Sequence, residues 1–211
     1  MGFTLAEVLI TLVIIGVIAA MTIPTLINKT NNQEYVSRLK KVYATLSAAT
    51  NRIIFEKGTP NSTLGGWSSS PEALLDIYKT KLMVADECVP SNGCTPNDSY
   101  KQLNNVNSNY NIGLRPKLVL NDGTFLFFWL EPDAYSCNYN SYGSFNACGE
   151  IYEDINGKKG PNKWGRDFFY FVIKENGLVP AGCDGNSSDC NKNGNEYTCA
   201  CKVIRENAIN Y

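Results

Sequence analysis

The stretch "MGFTLAEVLITLVIIGVIAAMTIP", Met1 to Pro24, decides how the rest of the chain is read. From Phe3 to Ile23 the only strongly polar side chain is Glu7. At 1.5 Å per helical residue this span covers roughly 31 Å, the thickness of a bilayer's hydrocarbon core. A cleaved secretory signal needs a basic region first, a shorter apolar stretch and small residues at the cut. Met1 and Gly2 supply no basic residue before the apolar run. The stretch therefore reads as a helix long enough to cross a membrane, with Glu7 as its anomaly.

Beyond Pro24 the pattern changes. In "NNQEYVSRLKKVYATLSAATNRIIFEKG", Asn31 to Gly58, the residues Tyr35, Leu39, Val42, Leu46, Ala49 and Ile53 recur at alternating spacings of four and three. That period marks one face of a helix, and Arg38, Lys40, Lys41 and Arg52 fall off it. The two stretches join into one helix over residues 3–57, apolar all round to about residue 23 and amphipathic from about 31 to 57. Gly16 and Pro24 are its weak points. Gly58, Pro60 and the Gly65-Gly66 pair end it.

Residues 58–211 are expected to form one head, since a single domain typically holds on the order of 100 to 150 residues. Nineteen Lys and Arg stand against twenty Asp and Glu, a formal net charge of -1. Wholesale nucleic-acid binding, which needs a basic surface, is not expected. Histidine is absent, which removes the commonest general base and every His-ligated zinc site. The eight cysteines all lie after position 87, a usage that fits an oxidising compartment, and no Cys-x-x-Cys pair points to zinc.

Within the head, "PEALLDIYKTKL" from Pro71 has a helical pattern with Pro in its first turn. "KLVLNDGTFLFFWL", Lys117 to Leu130, places two β-rich runs around Asn121-Asp122-Gly123 and predicts a hairpin. Further strands are expected at Phe168–Lys174 and Tyr197–Ile204. The fold class is α+β, with an antiparallel sheet of about four strands packed on the amphipathic half of the helix. The dense aromatics from Phe125 to Phe171 are expected in the sheet core.

The N-terminal residues resemble the start of a type IV pilin or type II secretion pseudopilin precursor. The match is Gly2 before Phe3, then Thr4, Leu5, the acid Glu7, an unbroken apolar run and Pro24. It covers about the first 30 residues. The resemblance implies a leader of residues 1–2, cut between Gly2 and Phe3 by a prepilin peptidase, and N-methylation of the new Phe3 amine. It implies partners too: the inner membrane and other pilin or pseudopilin subunits, with Glu7 pairing to the Phe3 amine of a neighbour in the filament. Gly16 and Pro24 would mark where the helix unwinds on packing. The cysteine-rich head belongs outside the membrane. A membrane-anchored binding module, or a competence pilin outside the main filament, is the alternative. No catalytic residue and no cofactor is expected.

Asp154-x-Asn156-Gly157 could open a calcium loop, and Asp184 and Asp189 could supply ligands in "CDGNSSDCNKNGNEYTCAC". A plain turn is the stronger reading of the first, because the closing acid of a calcium loop is missing, and a disulfide-tied loop is the stronger reading of the second. Short loops favour Cys88 with Cys94 and Cys137 with Cys148. Cys183, Cys190, Cys199 and Cys201 are left to pair among themselves. Cys199 and Cys201 share a face of the expected last strand, so the loop before them should fold back over it.

Overall fold

The structure, a computed structural model, describes residues 2, 4–60, 67, 70–88, 100–108, 112–130, 137–141, 144–184, 190–191 and 196–211. Helix α1, Leu5–Lys57, runs unbroken for 53 residues, about 80 Å along its axis. Thr4 caps its start, and the Gly58 N–H donates to the Ile54 carbonyl (2.9 Å) at its end, with Gly58 at a φ of 85°.

The two halves differ as their periodicities require. Residues 4–30 are exposed apart from half-buried Ala19. From Tyr35 onward one face is buried, carrying Tyr35, Val36, Leu39, Val42, Leu46, Ala49, Thr50 and Ile53. Pro24 and Gly16 do not interrupt the helix. Threonine hydroxyls donate back along this half: Thr11 to the Val8 carbonyl (2.9 Å), Thr22 to Ile18 (3.0 Å) and Thr30 to Leu26 (3.0 Å). These threonine hydroxyls are thus satisfied inside their own helix.

The head is built on a six-stranded antiparallel sheet in the order β1-β2-β3-β6-β7-β8. Its strands are β1 (Val84–Cys88), β2 (Lys117–Leu120), β3 (Phe125–Trp129), β6 (Gly149–Asp154), β7 (Phe168–Lys174) and β8 (Gly177–Pro180). Between β3 and β6 stands a small hairpin, β4 (Tyr139–Ser141) with β5 (Ser144–Ala147). Register fixes the two faces. Leu126, Glu153 and Phe169 lie opposite one another across β3, β6 and β7, as do Phe127, Tyr152 and Tyr170 one residue along. The first set shares its face with Phe171, whose ring lies 5.4 Å from Tyr43 of α1, and with Phe128, which packs on Tyr78. Tyr78 belongs to α2 (Pro71–Lys79), started by Ser70, whose hydroxyl accepts from the Ala73 N–H. This face therefore carries α1 and α2. The opposite face is covered by rings from the flanking loops: Tyr100 lies 4.1 Å and Trp164 4.5 Å from Phe168.

The expected hairpin is β2–β3, its turn closed by the Leu120 and Thr124 backbones (2.9 Å). The expected strand at Phe168–Lys174 is β7. Apart from half-buried Trp129, the aromatics from Phe125 to Phe171 among the described residues and outside the small hairpin are buried.

Two expectations fail. The sheet has six strands where about four were expected. The segment Tyr197–Ile204 is no strand but a 3-10 turn, Glu196–Thr198, running into α3 (Cys199–Glu206). Its buried residues Cys199, Ala200 and Val203 follow helical spacing. Neighbouring α3 turns reach α1, where Lys40 donates to Asn207 (2.7 Å) and Asn32 to the Ile209 carbonyl (3.4 Å).

Candidate functional site

The first turn of α1 is a capping box. The Thr4 N–H and hydroxyl both donate to Glu7 Oε2 (2.8 Å each), and the Glu7 N–H donates to Thr4 Oγ1 (3.3 Å). The sequence predisposes to this, because an acid three residues after Thr reaches back to the cap's own donor. The carboxylate also sits at the positive end of the helix dipole. Glu7 is thus exposed yet engaged, held by the helix it starts. Gly2 is exposed as well, whereas Phe3, the residue on which cleavage and methylation would act, lies outside the described residues.

Along the same segment a Cβ added at Gly16 would meet nothing within 4 Å, so the glycine leaves a shallow gap in an exposed surface. Pro24 lacks the N–H that would serve the Ala20 carbonyl, and the helix holds across it. By length and composition α1 can cross a membrane, with a mean hydropathy of 2.5 in its most apolar window.

In the head, Cys137 bonds to Cys148, Cys183 to Cys201 and Cys190 to Cys199. The first is the short-loop pairing, and the other two fall within the remaining four cysteines. Cys88 is also disulfide-bonded, while Cys94 lies outside the described residues. In a strand Cys199 and Cys201 would leave from one face. In α3 they point about 200° apart and tie two separate points of the preceding segment.

Asp154 and Asn156 form a turn closed by hydrogen bonds, although Asn156 Oδ1 is buried with no partner among the described residues. Asp154 accepts from the Tyr100 hydroxyl (2.8 Å) and the Asn156 N–H (3.2 Å), and Asn156 Nδ2 donates to the Gly160 carbonyl (3.1 Å). Asp184 is paired with Lys174, and Asp189 lies outside the described residues. Among the described residues no three Cys, Asp or Glu side chains are grouped to hold an ion.

Sequence reasoning missed a set of buried acids. Burial, with Asp167 nearby, pushes the Asp154 carboxyl well up from its usual range. Burial also raises Asp167, although the Asn162 and Lys163 N–H groups donate to it (2.9 and 2.6 Å). Glu153 is fully buried on the α1 face of the sheet. Neither of its carboxyl oxygens has a partner among the described residues, and burial, then Asp154, raises it well above the ordinary range of an exposed acid. The only available signal was negative: a run of three acids within "GEIYED" looks like surface.

No protein-family model, curated protein or solved structure matches this chain.

Proposed function

We propose that the chain is a structural subunit of a type IV pilus or type II secretion pseudopilus. It is stored in the inner membrane with its head outside, cut after Gly2, methylated on the Phe3 amine and polymerised through α1. One observation supports this most directly. The first half of α1 is exposed and apolar on all sides, carries a single carboxylate in its first turn, and continues without a break into a half that is part of the head's core. A simple anchor needs no such rigid continuity and gains nothing from an acid in its apolar stretch.

Glu7 is what the apolar segment has to explain. A lone carboxylate costs about 2.5–3.5 kcal/mol at the centre of a membrane on insertion scales, and less near the edge where Glu7 stands. Its bonds to Thr4 reduce that cost in the single subunit without neutralising the charge. Cutting the chain after Gly2 would create a cation at Phe3, and in a packed filament this cation on one subunit pairs with Glu7 on the next. Such a pair, shielded from water, loses about 3–5 kcal/mol when one partner is removed. The chemistry is self-association, with no turnover.

Mass spectrometry of the protein purified from its host tests the first step: the N-terminus should begin at Phe3 with one methyl group, and a mature chain still starting at Met1 would sink the proposal. Glu7→Val should insert and be cleaved normally yet fail to enter filaments. Normal incorporation of that variant would show the pairing argument to be wrong.

A further inference from the structure

Where α1 leaves its apolar half, a cleft of about 550 Å³ opens between the helix and the head, lined among others by Asn31, Glu34, Arg38, Asp122, Lys158 and Lys159. Most of its charges are already matched. Arg38 binds Glu34 (2.9 Å) and donates to the Ile155 carbonyl (3.3 Å), and Lys41 binds Asp122 (2.7 Å). Lys158 and Lys159 are different. Both are exposed, and neither has an ion-pair partner among the described residues. The cleft therefore carries two surplus positive charges on one short loop.

That loop is held in place. Asn156 Nδ2 closes it onto Gly160, and the Lys159 N–H donates to the Asn156 carbonyl (3.4 Å). Gly157, at a φ of 62°, sits so tightly on the β2–β3 turn that a Cβ there would lie 2.2 Å from the Gly123 carbonyl oxygen. The lysines are presented by a braced turn beside the helix.

Their height matters. Glu7 and Asn28 bracket the apolar run, 21 steps of 1.5 Å or about 31 Å apart, one hydrocarbon core. Asn31, on the cleft wall, is about 4.5 Å further along, inside the headgroup layer of roughly 5–8 Å on each side. The near end of the cleft that the two lysines line then lies within a Debye length, about 8 Å, of the lipid phosphates.

We propose that the Lys158-Lys159 loop and its cleft bind anionic phospholipid headgroups at the membrane surface from which α1 emerges, seating the head on the bilayer. This rests on the proposed membrane crossing of α1 but not on filament formation.

The test uses the full chain in nanodiscs of phosphatidylcholine, alone or mixed with phosphatidylglycerol. Acylation of each lysine is followed by mass spectrometry, with exposed Lys57 as internal reference. Slower labelling of Lys158 and Lys159 only in the anionic discs is expected. The variant K158Q/K159Q should retain phosphatidylglycerol more weakly through detergent extraction, by about five-fold per lysine removed. Equal labelling in both discs overturns the proposal. So does equal protection by inorganic phosphate in the zwitterionic discs, which would make this a free-anion site. A chain that fails to float with liposomes removes the membrane crossing itself, while failure of Glu7-dependent filament entry alone leaves the lipid contact standing.

Discussion

Glu153 is the residue whose chemistry departs furthest from its surroundings. Its neighbours across the sheet are Leu126 and Phe169, both buried, and no donor among the described residues reaches its oxygens. A raised carboxyl keeps its proton in the fold and releases it in the unfolded chain. Its stability contribution is therefore intact below the ordinary value of 4.5 and is lost as pH rises toward the folded value. Each pH unit in that window costs about 1.4 kcal/mol. Asp154 and Asp167 are raised as well, so their slopes have the same sign. Glu153→Gln should cancel its own share: little changed at pH 4.5, and increasingly more stable than the natural chain as pH rises, by up to about 1.4 kcal/mol per pH unit. Urea unfolding of the full chain in detergent across this pH range measures this, and parallel profiles would show that the carboxyl finds a partner. Lys117, buried against Phe127 and lowered by desolvation to about 8, reverses the trend at the alkaline end. A lysine that loses its proton early in the fold makes stability rise with pH from about 8 to its unfolded value near 10.5.

Among the elements, those that follow a clean period were legible and those built on exceptions were not. The amphipathic half of α1 repeats every 3.6 residues because one stripe meets the sheet. The β2–β3 hairpin has its Asp-Gly turn, and β7 is a continuous apolar run buried on both faces. In contrast, β6 places Glu150, Glu153 and Asp154 in the interior, against the general preference of acids for water. The error at α3 has another cause. Cys-Ala-Cys imitates strand alternation, but the cysteines are placed by their bonds, Cys199 to Cys190 and Cys201 to Cys183, rather than by a sheet ladder. An eight-residue helix is too short to persist in water alone, so α3 depends on these links. Bridges across separations of 18 and 9 residues each contribute roughly 3 kcal/mol by loop-closure entropy. Replacing Cys183 and Cys201 together by Ser should free the C-terminal segment for proteolysis before the sheet melts. Limited digestion followed by mass spectrometry reads this out, and cleavage no faster than in the natural chain would show that packing on α1 and β7 suffices.

At the scale of the whole molecule the two halves of α1 answer to two solvents. The residues from Leu5 to Ile27 leave fourteen large apolar side chains more than two-fifths exposed, from Val8 at 43% to Leu5 at 78%. Soluble proteins do not carry such a surface without something to cover it. The head shows the opposite pattern: its buried cluster begins at Tyr35 and is continuous from α1 through the sheet to Val203. The boundary between the two lies near Lys29, where the first cation follows the apolar run. Nothing in the core crosses that boundary, since among the described residues none before Asn31 is buried and only Ala19 is half-buried. A chain beginning at Lys29 should therefore keep the whole head core, remain monomeric in water without detergent, and unfold in one transition. It should also keep the loss of stability with rising pH that Glu153 imposes, because that carboxyl is covered by residues the truncated chain retains. Sedimentation in plain buffer and urea unfolding across pH test both points together. Aggregation of the truncated head, or loss of its pH slope, would mean that the apolar half supports the head's packing and that α1 cannot be divided at this point.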